Sequence, residues 1–107
     1  MNRIALALVP FALICASAQA SAYTRPQILG ELQSLETCVR TMCLPANDSS
    51  MSVAYAKTVL AKLAVSPNNL DRWVTQRLNA AVQLLEQKKI REGLEALQAS
   101  IKELPAA

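Results

Sequence analysis

Residues 69–104 read NLDRWVTQRLNAAVQLLEQKKIREGLEALQASIKEL, and the apolar spacing in this stretch decides the fold class. Leu70, Trp73, Val74, Leu78, Ala81 and Leu85, with Leu84 beside them, recur at the period of one helix face. Ile90, Leu94, Leu97, Ile101 and Leu104 form a second such stripe. Between them Gln87-Lys88-Lys89 has neither Gly nor Pro, so the sequence also permits one long rod. The phase opposes it. Leu78, Ala81 and Leu85 place the next face residue at 88 or 89, and both are Lys. Ile90 restarts the stripe out of register, which predicts a tight helical hairpin. Lys88 and Lys89 suit the negative end of a helix dipole.

Working outward, Ser66-Pro67-Asn68-Asn69 punctuates the chain. Either Ser66 caps the next helix with Pro67 at its first position, or Asn69 caps it with Asp71 behind. Before it, Val53, Ala56, Leu60 and Leu63, flanked by Tyr55 and Val59, predict a helix that ends near Val65. Ser50 or Ser49 is its expected cap. The run 44–50, Leu-Pro-Ala-Asn-Asp-Ser-Ser, is the clearest loop. Upstream of the loop, Ile28, Leu32, Leu35, Val39 and Met42 form another apolar face. Thr24 and Gln27 fit a capping box around Pro26. No strand-length alternating segment occurs. The expectation is all-α: a small antiparallel bundle of about four helices.

The chain has 107 residues, 52% of them apolar, with three cysteines, no histidine and a formal charge of +3. Part of the apolar excess lies at the N-terminus. Met1-Asn2-Arg3 is a short positive start, residues 4–14 are an apolar run, and residues 16–22 alternate small side chains. This reads as an export signal cleaved after Ala20, not as a membrane span, which needs roughly 20 apolar residues. Cys15 follows Ile14 rather than a small residue, which fits a lipoprotein signal poorly. The domain reading is therefore a signal peptide at 1–20 and one helical domain at 21–107. The expected location is periplasmic or secreted. Of the 107 residues, removal of 20 leaves 87, with ten basic against eight acidic groups, a charge of +2. So small a charge excludes nucleic acid as an expected partner. A domain this small is marginal unless stapled or oligomeric, so a homodimer is one expectation.

Cleavage leaves Cys38 and Cys43, an even count in an oxidising compartment, which predicts one disulfide. In a continuous α-helix, residues five apart are separated by about 7.5 Å of rise and 140° of rotation. Their Cα atoms would lie roughly 8.6 Å apart, beyond the reach of a disulfide. The expectation is therefore a helix that breaks near residues 40–42, helped by Pro45, with the bridge stapling the frayed end. Three other readings compete: a redox-active pair, an intermolecular bridge, and a soft Cu(I) site from Cys38, Met42, Cys43 and Met51.

Residues 77–105 resemble one degenerate tetratricopeptide-type helical hairpin. Ala81 and Leu84 match its first helix; Ile90, Gly93, Leu97 and Ser100 match the second; Pro105 closes it. The spacing from Pro67 to Pro105 is longer than the repeat, and Lys88 stands where the turn glycine belongs. The resemblance implies close helix approach at Gly93. A second likeness, of size and texture only, is to small exported metal-binding helical bundles. Those hold their ligands with histidines, which this chain lacks.

The absence of histidine removes the imidazole base and the Ser-His and Cys-His catalytic pairs. The carboxylates are scattered, and Glu92 and Glu95 read as a solvated helix face, so no acid–base pair converges. The chain is expected not to be an enzyme, and no cofactor is implied. Lys88, Lys89 and Arg91 form a small basic cluster, and Trp73 is the only tryptophan. These four are the candidate partner-binding residues. The functional expectation is a protein-binding module of the bacterial envelope, either an accessory subunit or an inhibitor of immunity type. A periplasmic copper carrier is the alternative.

Overall fold

The computed structural model describes residues 23–65 and 67–106. The export-signal reading of residues 1–20 and Cys15 lie outside them, as does Ser66. Four helices carry the described chain: α1 (Arg25–Cys38), α2 (Ser50–Leu63), α3 (Asn69–Glu86) and α4 (Ile90–Lys102). No strand occurs among the described residues. A π-helical turn, Val39–Cys43, and one further α turn, Leu44–Ala46, extend α1 without a break.

Each helix packs on its neighbour in sequence, and α1 closes the ring against α4. Cross-helix contacts give the directions. The Arg25 guanidinium at the start of α1 donates to the Pro105 and Leu104 carbonyls after α4, at 2.8 and 3.2 Å. Further along both helices, Gln98 Nε2 donates to Glu36 at 3.1 Å. Ser49 Oγ at the start of α2 donates to the Leu85 carbonyl at the end of α3, at 2.7 Å. Neighbours therefore run antiparallel, as short connections require.

The core follows the helical stripes. Ile28, Leu32, Leu35 and Val39 meet Ala56, Val59 and Leu63 of α2, Val74, Leu78, Ala81 and Leu85 of α3, and Ile90, Leu94 and Leu97 of α4. The α3–α4 hairpin is separated by Lys88, which adopts the left-handed region at φ 61°. The rod reading is excluded. Gly93 lies against Leu85 so closely that a Cβ there would sit 2.7 Å from Leu85 Cδ2.

Several expectations need correction. The helix carrying Cys38 and Cys43 does not end at residues 40–42; it runs on through Ala46 and stops at Asn47, which turns left-handed at φ 52°. Leu44 stays helical despite Pro45. A π turn inserts one extra residue, which offsets the carbonyl that a proline ring would otherwise strike. The same extra residue shifts the apolar phase. Cys43 enters the core in place of Met42, which is 51% exposed.

Two positions of the α2 stripe differ by one residue, Ser52 for Val53 and Val59 for Leu60, while Ala56 and Leu63 hold. Ser52, Ala56, Val59 and Leu63 are buried, while Val53 and Leu60 lie at the margin. Caps differ in detail. Thr24 and Gln27 form the expected box. The α3 cap is Asn68, not Asn69, and it is reciprocally bonded with Asp71. Ser49 stands at the α2 N-cap position, yet its hydroxyl is spent on Leu85, and Asp48 Oδ1 instead accepts from the Ser50 N–H at 3.0 Å. The α2 helix ends at Leu63 with its cap at Ala64, close to the expected end near Val65.

Candidate functional site

The chemically distinctive group lies where the π turn meets α2. In an α-helix Cys38 and Cys43 would point about 140° apart. The turn changes this. Its backbone bond from the Leu44 N–H to the Val39 carbonyl spans five residues, the same interval that separates the cysteines. A turn closed at that interval brings side chains five apart toward one face. Both sulfurs consequently face the first turns of α2.

There they meet one hydroxyl. Ser52 Oγ lies 2.6 Å from Cys43 Sγ, and it donates to Cys38 Sγ at 3.4 Å. The two distances sum to 6.0 Å, the greatest separation the sulfurs can have. Ser52 is fully buried and Cys43 nearly so, whereas Cys38 is half-buried. Both thiols are free. A buried serine hydroxyl needs a partner, and the sulfurs supply it. Serine at a core position is why the sequence stripe of α2 takes Val53 in place of Ser52.

The surroundings differ in character. Met42 and Met51, which precede Cys43 and Ser52 in sequence, are 51% and 60% exposed. Lys88, Lys89 and Arg91 are exposed at the α3–α4 turn. Because the helices alternate in direction, that turn shares an end of the bundle with the π turn and the start of α2. A groove of about 570 Å³ opens nearby, lined by Asp48, Ser49, Val53, Lys57, Glu86 and Lys88 among others. Its charges are matched, with Lys57 Nζ 3.1 Å from Glu86. The Ser50 hydroxyl and N–H, with Lys88 nearby, hold the Asp48 carboxyl below the usual carboxylate range.

Trp73 is elsewhere. It sits one turn into α3, about 22 Å along the helix from Lys88. It is half-buried, and the Arg77 guanidinium lies 4.7 Å from its ring centroid. Arg77 is anchored in turn to Glu103 at 2.9 Å. The structure thus brings Lys88, Lys89 and Arg91 together and leaves Trp73 apart from them.

Sequence reasoning missed the role of Glu31 and the burial of Asp71, which it named only beside a cap at Asn69. Glu31 accepts from the Tyr23 hydroxyl at 2.9 Å and from the Tyr55 hydroxyl, joining the N-terminal segment to α2. Burial and the Glu31 carboxylate push the Tyr23 phenol up to about 12. The hydrogen bond to Glu31, then burial, raises Tyr55. Asp71 is buried, and its Oδ1 has no partner among the described residues. The Glu31 cluster has no signal in spacing, because it depends on which residues face each other across elements; Asp71 has one, as the third residue after the Asn68 cap.

Among the described residues, no three His, Cys, Asp or Glu side chains converge as a metal group, and no helix is long and apolar enough to cross a membrane. Comparison with family models, curated proteins and solved structures returned no match.

Proposed function

We propose that the protein is an exported binding module that contacts a protein partner in the bacterial envelope, as an accessory subunit or as an inhibitor of immunity type. One observation carries the reading. Two exposed methionines, Met42 and Met51, share an end of the bundle with the basic group Lys88, Lys89 and Arg91. Methionine is a flexible, polarisable side chain that adapts to a partner's surface. Flanking cations suit an acidic rim around such a contact. Trp73, at the other end and covered by Arg77, falls outside this surface. The ring closed by α1 on α4 also leaves no open helix pair for repeat-type stacking, which an array of tetratricopeptide units needs.

Export is part of the same proposal and rests on residues 1–20. Photo-crosslinkers placed at positions 42, 51 and 89 in the native host test the contact. One discrete adduct from all three, absent from a crosslinker at Thr58 or Gln76, supports it. Equal adducts everywhere, or none at the three, refute it.

A second reading has its own support. Two sulfurs that converge on one point suit Cu(I), which favours soft thiolate and thioether ligands. Titration of the reduced protein with Cu(I) against a competing chelator separates the two. Tight, stoichiometric uptake lost in Cys38→Ser supports a carrier, and no uptake removes it.

A further inference from the structure

We infer that Cys38, Ser52 and Cys43 form a dithiol site that closes to an intrahelical disulfide by exchange with an external disulfide, without breaking the helix. The inference does not depend on the binding reading above. Three observations carry it. The π turn sets the cysteines one wide turn apart on a shared face. The sulfurs are no more than 6.0 Å apart by the sum of their contacts to Ser52. Their accessibility is unequal: Cys38 is half-buried, and Cys43 is 2% exposed.

The inequality assigns an order. Cys38, as the thiolate, attacks one sulfur of an incoming disulfide such as oxidised glutathione. The reagent's S–S bond breaks, and one of its sulfurs leaves as a thiolate with the bonding pair. Cys43 then releases its proton to solvent and attacks Cys38 Sγ. The mixed S–S bond breaks, and the second reagent thiolate leaves and is protonated. The cysteine pair is oxidised by two electrons, and the reagent is reduced to two thiols.

Ser52 is a positioning residue in this sequence. Its hydroxyl donates to Cys38 Sγ at 3.4 Å and lies against the Cys43 sulfur, which holds both sulfurs at one point. Closure needs the sulfurs to approach to about 2 Å. Side-chain rotation that moves the Ser52 hydroxyl out from between them accomplishes this. The π turn already spans the five-residue interval between the cysteines, so closure is expected to leave the helix intact.

The test uses the reduced protein in a Cys15→Ser background, so that only two thiols are present. It is treated with oxidised glutathione and followed by mass spectrometry and circular dichroism. The expected course is a transient adduct of one glutathione at Cys38, then a monomer lacking two hydrogens, with the helical signal unchanged. Cys43→Ser should accumulate the Cys38 adduct, and Cys38→Ser should react at least about tenfold more slowly. Native alkylation of the unsubstituted pair, mapped by peptide mass, reads the same order without any core substitution. Equal reactivity at the two cysteines overturns the assignment. Two glutathiones per chain, a disulfide-linked dimer, or loss of helical signal on oxidation overturns the closure.

Discussion

Gly93→Ala and Gly30→Ala should change stability in opposite directions, although both replace glycine inside a helix. An added methyl is worth roughly 0.5–1 kcal/mol of helix stability when it meets nothing. Gly30 is that case: it is exposed, and a Cβ would have no neighbour within 4 Å. At Gly93 the Cβ would lie 2.7 Å from Leu85 Cδ2, 2.9 Å from its Cγ and 3.5 Å from the Ala81 carbonyl. Leu85 is only 1% exposed and cannot swing clear. Overpacking of this kind costs about 1–3 kcal/mol, which outweighs the propensity gain. The two variants should therefore differ by roughly 1–3 kcal/mol, with Gly30→Ala the more stable. For a domain of this size each kcal/mol moves Tm by about 4–8 °C. Urea and thermal denaturation followed by circular dichroism read the gap. Adding Leu85→Val to Gly93→Ala should recover part of the loss, because the substitution shortens the obstructing side chain. Equal stabilisation by both alanines would refute the close α3–α4 approach.

Asn68→Ala should cost about 1 kcal/mol in urea unfolding, because Asn68 and Asp71 cap α3 reciprocally at 2.7 and 3.2 Å. Asn69→Ala, which removes only an exposed contact to Arg72, should be close to neutral; the reverse order would move the cap by one residue. Arg77→Ala should uncover one face of the sole tryptophan and shift its emission to the red, with a loss of about 0.5–1 kcal/mol. An unmoved emission maximum would contradict that packing. Alkali should destabilise the fold through the tyrosines. Tyr23 holds its proton to about pH 12 when folded, against 10.0 for the free phenol, and Tyr55 is raised as well. Their contribution is complete below pH 10 and is lost as pH rises through the folded values. Tyr23→Phe with Tyr55→Phe should flatten the alkaline decline in urea midpoint; an unchanged slope would rule out the phenols as its source.

The parts legible in the sequence were those with local causes. The Thr24-x-x-Gln27 box reads directly because both partners lie within one turn. The hairpin at Lys88 reads from phase alone, because two lysines occupy the positions where an uninterrupted stripe needs apolar side chains. The α3 cap was misplaced by one residue because Ser66-Pro67-Asn68-Asn69 offers several polar candidates. Side-chain partners, not composition, choose among them. Ser52 was hidden for the opposite reason. A serine has no apolar signal, and its burial depends on two sulfurs contributed by another helix.

What the sequence determined by itself is the class: all-α, about four helices, and hairpin-like connections, because apolar period and capping act within a few residues. It also supplied the residue inventory, with two cysteines five apart and no histidine. What those cysteines can do was decided by the tertiary structure. On an ideal α-helix the spacing holds them apart, and a break was the natural remedy. Packing of α1 against α2 and α4 instead accommodates a π turn, whose extra residue rotates both sulfurs onto Ser52. One inserted residue in a helix is invisible to periodicity, because its stability comes from the neighbours that bury it.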